Sequence, residues 1–262
     1  MALTKDQVEQ ISNELIEAER TCTPIEALTD RFPDVTYEDA YAVQLKTFDT
    51  RVRNGAVIVG KKIGLTSRAM QDQFNIREPD YGMITDTMMA REGAPVPMSS
   101  LILPRIEPEI AFLLKEDLKG PGINAANVIE ATEGVLPAFE VIDSRYRDWK
   151  ITVKDSISDN ASAALMILGG VLTPVKDLDL RYIGLVLEKN GEVVSTGAGA
   201  AVLGNPAESV AWLANKLTEY GITLKKGEFV MSGSLVSAVK VEAGSNLRAT
   251  FDRIGAVSVL FT

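Results

Sequence analysis

The feature that most limits the fold is a change of hydrophobic rhythm near Val57. Before it, apolar residues recur at helical spacing. Thr4 with Gln7 three residues on reads as a capping box, and Val8, Ile11, Leu15 and Ala18 follow on one face. Thr36 and Asp39 open a second helix that carries Ala40, Val43 and Phe48 and ends by Gly55. After Val57 the chain breaks into short β-rich runs split by Gly, Pro and Asn. Residues 106–114 and 135–142 read as strands, and 124–133 as a short helix ended by Gly134. Residues 185–194 read as a hairpin, because Asn190-Gly191 suits a type I′ turn. Residues 206–220 read as a helix capped by Asn205, with Pro206 at its first position and Glu208 completing a box. Its apolar stripe is Val210, Leu213, Ala214 and Leu217, and Gly221 ends it. Helices first and many short strands later predict an α+β protein, with a helical region over 1–56 packed on a β-rich catalytic core over 57–262.

Composition narrows the chemistry. The 262 residues are 46% hydrophobic, enough for a full core, and the net charge of −9 argues against nucleic acid or anionic membrane as a partner. The N-terminus lacks the charged-then-apolar order of a signal peptide, and no apolar run reaches the roughly 18 residues of a membrane span. Cys22 is the one cysteine, so no internal disulfide is possible. These features fit a cytoplasmic protein. There is no histidine, which removes Ser-His-Asp and Cys-His nucleophiles and His-ligated zinc. Acid–base work then falls to carboxylates, lysine, tyrosine or water on a metal, and any metal is bound through oxygen, favouring Mg²⁺, Mn²⁺ or Ca²⁺.

Glu107 and Glu109 stand two apart in Arg-Ile-Glu-Pro-Glu-Ile-Ala, so in a strand they share a face with Ala111 and Leu113. Like charges so placed repel, and burying them is costly; a divalent cation resolves both problems. Glu140 lies in a similar apolar run, Phe-Glu-Val-Ile-Asp-Ser-Arg. Three carboxylates leave about three octahedral positions for water or substrate. The plainer reading is a solvated strand face, with Pro108 marking an edge strand.

Lys62, among β-rich residues and glycines, reads as a partly buried lysine of lowered pKa suited to proton transfer, or as a surface lysine beside Lys61. Asp80 reads as a general base or a turn residue. The small polar clusters 159–162 and 232–234 offer hydroxyls or amides to a substrate carboxylate, or form turns. Gly197 to Ala201 lacks the spacing of a phosphate loop and is rejected as one. Trp149 and Trp212 read as packing residues.

Together Gly-Lys-Lys-Ile-Gly-Leu-Thr-Ser, Pro-Asp-Tyr-Gly, Arg-Ile-Glu-Pro-Glu-Ile-Ala, Phe-Glu-Val-Ile-Asp-Ser-Arg, Ser-Asp-Asn-Ala-Ser and Gly-Ala-Gly-Ala-Ala-Val-Leu-Gly resemble the 2-keto-4-pentenoate hydratase and 4-oxalocrotonate decarboxylase family of the fumarylacetoacetate hydrolase superfamily. The motifs run over nearly the whole chain in order. The resemblance implies a mixed β-roll core and a Mg²⁺ or Mn²⁺ site on Glu107, Glu109 and Glu140. It also implies Lys62 and Asp80 as catalytic groups, and Thr66, Ser162 and Ser234 as substrate-binding groups. Relatives often have Leu-Gly-His-Pro where this chain has Asn205 before Pro206. Since Asn also caps a helix, that histidine reads as structural.

The resemblance further implies a metal-dependent hydro-lyase that converts 2-hydroxypenta-2,4-dienoate to 4-hydroxy-2-oxopentanoate in aromatic meta-cleavage degradation. Ketonisation with protonation at the far carbon would precede water addition at C4. Pro-Asp-Tyr-Gly, Arg-Asp-Trp-Lys, Ser-Arg-Ala-Met-Gln and Ser-Gly-Ser-Leu look more like the hydratases, whereas Glu-Val-Ile-Asp-Ser-Arg-Tyr leans to the decarboxylase of 2-oxohex-3-enedioate. A C–C hydrolase of acylpyruvates is a further alternative. A homo-oligomer, and its complex with the companion hydratase or decarboxylase, are also implied.

Overall fold

Both N-terminal helices begin where their caps predict. The computed structural model describes residues 3–262, and the side chains of all of these except Met70, Gln73 and Phe74. Helix α1 spans Lys5–Thr21, α2 Leu28–Arg31 and α3 Tyr37–Arg53. Thr4 Oγ1 accepts the Gln7 N–H at 3.2 Å, and the Gln7 side chain accepts the Thr4 N–H at 2.8 Å. Thr36 and Asp39 form the same reciprocal pair. Ile11 and Leu15 of α1 meet Val43 of α3, Leu28, Val35 and Tyr146 in one apolar cluster. This joins the helices to the rest of the chain. Among the described residues no helix is long and apolar enough to cross a membrane.

Next come β1 (Ile58–Gly64), α4 (Arg68–Phe74), β2 (Asp80–Thr85), β3 (Met89–Ala90), β4 (Arg105–Leu114), α5 (Ala125–Ala131), β5 (Thr132–Ile142), α6 (Val153–Ser158) and β6 (Ala163–Leu168). They are followed by β7 (Gly184–Lys189), β8 (Glu192–Ala198), α7 (Pro206–Leu217), β9 (Phe229–Ser234), β10 (Val239–Lys240), β11 (Asn246–Phe251) and β12 (Gly255–Leu260). The larger sheet runs β2-β1-β9-β4-β5-β6-β3, with β10 added to β4. β1/β9 and β3/β6 are parallel and the other pairs antiparallel, so this is a mixed sheet, and it curls into a half-barrel. The smaller sheet is β12-β11-β7-β8. Its inward residues Leu185, Leu187, Leu247, Ala249, Phe251, Val257 and Val259 alternate with outward ones, as a one-sided sheet requires. Asn190 (φ 54°) and Gly191 (φ 84°) make the tight turn expected between β7 and β8.

Three local expectations change. The helix predicted over 124–133 stops at Ala131, where Thr132 Oγ1 donates to the Val128 carbonyl at 2.6 Å and Thr132 turns extended. Glu133 and Gly134 belong to β5; a Cβ at Gly134 would stand 2.8 Å from the Thr173 carbonyl oxygen. Pro108 is not on an edge, because β4 is central between β5 and β9. Its missing donor falls beside an irregularity in the β4/β9 ladder, between Glu109 and Ala111. Finally, Asn205 caps α7 by accepting the Ala207 N–H at 3.1 Å, while the Glu208 N–H goes to the Asn205 carbonyl at 2.8 Å. Glu208 therefore completes no box.

Val210, Leu213, Ala214 and Leu217 of α7 are all buried, so fraying at the Asn205 end would be felt in the core. Asn205→Ala is expected to lower stability by about 1 kcal/mol. A fall of the urea midpoint at unchanged slope would show it; an unmoved midpoint would show that the cap contributes nothing.

Candidate active site

The register of β4 and β5 decides where the acidic groups meet. Glu107 stands directly opposite Glu140, and Glu109 lies two residues along β4 on the same face. One carboxylate oxygen from each lies within 4.8 Å of the other two. Glu109 and Glu140 are buried and Glu107 is half-buried. Glu109 Oε1 and both Glu140 oxygens are buried and have no hydrogen-bond partner among the described residues. Three converging carboxylates with unpartnered oxygens are a donor set for a hard divalent cation.

The β4/β9 irregularity supplies a backbone hydrogen bond to the Glu109 side chain. Between its pairings with Ala111 and Glu109, β9 advances from Met231 to Ser234, one residue more than β4. Gly233 takes φ 108° in this bulge, and its N–H turns onto Glu109 Oε2 at 2.7 Å. A Cβ at Gly233 would collide with Thr66, so the position is closed to other residues in both backbone and space.

Lys62 reaches the carboxylates from β1. Its Nζ is 3.3 Å from Glu140 Oε2 and donates to the Ala161 carbonyl at 3.0 Å. That carbonyl is presented by an uncommon stretch: Asn160, Ala161 and Ser162 all have φ between 50° and 57°. Left-handed backbone at three successive non-glycine residues is strained and needs external support. Asn160 provides some, accepting the Met83 N–H at 2.7 Å and donating to the Met83 carbonyl at 2.9 Å. Arg145 provides the rest. It ion-pairs with Asp159 and donates to the carbonyls of Asp143 (2.6 Å), Asp159 (2.6 Å) and Ala163 (3.0 Å). The Asp-Ser-Arg of the fifth-strand motif is thus a clamp on the turn that holds Lys62.

Asp80 opens β2 opposite Gly64 of β1 and is buried. Ser156 of α6 donates to its Oδ2 at 3.2 Å, while Oδ1 has no hydrogen-bond partner. A Cβ at Gly64 would run into this carboxylate and stand 3.1 Å from Lys62 Nζ. Glycine there lets Asp80 and Lys62 approach one another.

Burial and like charge set the protonation of these groups. Burial raises Glu140 to about 7, with Lys62 opposing and Glu107 adding to the rise. Burial, then Glu140 and Glu107, hold Glu109 well above the carboxylate range. Glu107 and Asp80 are also raised by burial, against the pull of Lys62. For Lys62 the expected lowering is reversed. Burial alone would depress it, but Glu140, Asp80, Glu107 and Glu109 around it hold it above its ordinary value. It stays an ammonium, a fixed positive charge among four acids. Lys61, by contrast, points to the other face of β1 and pairs with Glu228 at 2.7 Å.

Lys62, Thr66, Asp80, Glu107, Ser162 and Ser234 line one cavity of about 610 Å³, with Glu109 and Glu140 behind Glu107. Ser162 Oγ is buried and has no hydrogen-bond partner among the described residues. Ser234 Oγ donates to the Val236 carbonyl at 2.7 Å, so its hydroxyl is already committed. Trp212 packs on the main core as expected, but Trp149 does not: it lines the cavity with the Arg105 guanidinium 4.5 Å from its ring centroid. Arg105 and the Ala161 carbonyl were invisible to residue-type reasoning. Arg105 did carry a signal, because it precedes Glu107 by two and so shares its face.

Comparison with known proteins agrees with this architecture. Residues 50–260 match the family described as Fumarylacetoacetate (FAA) hydrolase C-terminal. The chain is 43% identical to a 2-hydroxyhexa-2,4-dienoate hydratase of Comamonas testosteroni over 98% of both chains. It is 45% identical to a 2-hydroxypent-2,4-dienoate hydratase of Pseudomonas putida, over 84% of this chain and all of the other. The structure of 4-oxalocrotonate decarboxylase from Pseudomonas putida G7, complexed with magnesium and adipate, superposes with a TM-score of 0.97 at 42% identity, covering 100% of this chain and 99% of that one. The chain belongs to the fumarylacetoacetate hydrolase family.

With pKa values raised by burial, the acidic cluster holds protons near neutral pH, and a cation must displace them. Mg²⁺ affinity is therefore expected to rise between about pH 6 and about pH 8, with protons released on binding. Calorimetry in buffers of different protonation enthalpy checks this. An affinity flat over that range, with no proton release, would contradict it.

Proposed function

We propose that this chain is a metal-dependent hydro-lyase that adds water to 2-hydroxypenta-2,4-dienoate, the enol of 2-oxopent-4-enoate, to give 4-hydroxy-2-oxopentanoate in the breakdown of aromatic meta-cleavage products. The observation that carries the reading is the buried trio Glu107, Glu109 and Glu140 facing Lys62 at one cavity. Two relatives above 40% identity that are hydratases of 2-hydroxydienoates support the substrate class.

In this reading Glu107, Glu109 and Glu140 hold Mg²⁺ or Mn²⁺, which supplies Lewis acidity at the substrate 2-oxygen. The magnesium of the decarboxylase relative supports the first of these ions. Asp80 moves the protons, and Lys62 steadies the negative charge that develops on the substrate. The 2-hydroxyl proton leaves as a proton is delivered to C5, giving a conjugated 2-oxo acid. Water then adds its oxygen to C4 and a proton to C3. Asp80, with a raised pKa and an unpartnered Oδ1, is suited to hold and pass a proton. Lys62, fixed by Ala161 and Glu140, keeps a positive charge beside the reacting carbons. Thr66, Ser162 and Ser234 shape the substrate's bed, Ser162 with a free hydroxyl. Residues 1–56 serve as a helical buttress on the catalytic core of 57–262, a division supported by the Gln44 bonds to the Tyr81 and Ile157 carbonyls at 2.8 and 3.1 Å.

A second reading, decarboxylation of 2-oxohex-3-enedioate at the same site, is favoured by the close superposition on the decarboxylase. In either case the protein is read as cytoplasmic and as a homo-oligomer, with the companion decarboxylase or hydratase as a possible partner. The exposed Val186, Val193 and Val194 on the outer face of the smaller sheet support self-association.

Purified protein with Mg²⁺ or Mn²⁺ is expected to consume freshly made dienoate without releasing carbon dioxide. Glu109→Gln should cut kcat/KM by about 100-fold or more at unchanged Tm. Carbon dioxide from the diacid, with the dienoate untouched, would replace the hydratase by the decarboxylase. Full activity of Glu109→Gln would remove the site assignment.

A further inference from the structure

Arg105 is a guanidinium without a counter-ion at the edge of an acidic site. It shares one face of β4 with Glu107 and Glu109 and lines the same cavity. Its Nε is buried with no hydrogen-bond partner, and among the described residues no carboxylate lies within ion-pair distance of it. Its place is fixed from one side only, by the Trp149 ring. That ring is itself anchored, because Trp149 Nε1 donates to the Leu103 carbonyl at 2.8 Å and the Trp149 backbone accepts φ 56°. A guanidinium stacked by its face keeps its edge of in-plane donors free, and that edge matches a carboxylate.

The sheet register gives the cavity a direction. Arg105 opens β4, paired with Ile142, and is half-buried. Lys62 is level with Met231 of β9, which is level with Ala111, six residues further along β4. Glu107, Glu109 and Glu140 lie between. Lys62 is rooted at the inner end with its Nζ turned back to Glu140, and Asp80, opposite Gly64, lies two residues nearer the rim; both are buried, whereas Arg105 is half-buried at the rim.

We propose that Arg105 receives the substrate's 1-carboxylate, so that the acid end lies at the rim and C4 and C5 point inward to Lys62 and Asp80. The direction of the chain rests on the dienoate reading, in which protons move at C3 and C5. Arg105 is then a specificity-determining residue: it selects 2-oxo or 2-enol acids by the one charged group they share, and it fixes which carbons meet Asp80 and the Lys62 ammonium.

The test is ligand binding by calorimetry to Mg²⁺-loaded protein, without turnover. The probes are 2-oxopentanoate, its diacid counterpart 2-oxohexanedioate, and 2-oxopentanamide. Arg105→Gln is expected to weaken both acids alike, by about 10- to 100-fold. Arg105→Lys should recover part of the loss, and the amide should bind wild type and Arg105→Gln equally. Tm should hold, and affinity for Mg²⁺ alone should not fall, because the change removes a positive charge beside Glu107. Three results would overturn the proposal: unchanged 2-oxopentanoate affinity in Arg105→Gln, weakening of the diacid alone, which would put the far end of the ligand at Arg105, or no binding of 2-oxopentanoate to the loaded wild type. Absence of dienoate hydration with this binding pattern intact would instead sink the hydratase reading.

Discussion

Four acids and one ammonium share the interior of a curled sheet, and the rest of the site is arranged around that imbalance. Glu107, Glu109, Glu140 and Asp80 surround Lys62, which among the described residues is the cation they hold in common. In a site screened from water such a cluster is unfavourable unless protons or a cation complete it. The fold holds it because the three glutamates sit on β4 and β5, central strands paired on both sides, and Asp80 on β2 is enclosed beside Gly64 and Ser156. A rigid scaffold with a charge deficit is what a metal site needs, and it is why the carboxyl groups sit high in their range before any ion arrives.

Each partner of the cluster is aimed by a local irregularity. The β9 bulge turns the Gly233 amide onto Glu109. The left-handed turn at Asn160, Ala161 and Ser162 turns a carbonyl onto Lys62. Neither is stable alone. The first needs a glycine and the second needs the Arg145–Asp159 pair and the Asn160 side chain. At both places the backbone departs from regular geometry where a side chain must be held.

Local pattern was enough for the elements whose cause is local. The capping boxes at Thr4 and Thr36, the Asn190-Gly191 turn, and the apolar stripe from Val210 to Leu217 are each set by neighbours within one or two turns. The two strands carrying the three glutamates were legible from their apolar flanks, and the i, i+2 spacing placed Glu107 and Glu109 on one face. Their convergence with Glu140 was not legible, because it depends on the β4/β5 register. The direction of the Lys62 shift failed for a related reason. Burial was inferable from β-rich neighbours, but the four surrounding acids come from three distant strands and reverse its effect. Trp149 failed as a packing residue because its partner, Arg105, is distant in sequence.

The central claim is that Glu107, Glu109 and Glu140 together hold one divalent cation. Anomalous diffraction from crystals grown with Mn²⁺ addresses it without assuming any reaction. The account predicts one strong peak per chain, bonded to a carboxylate oxygen of each of the three glutamates. Peaks elsewhere, with these carboxylates bound only to Lys62 and to each other, would contradict it.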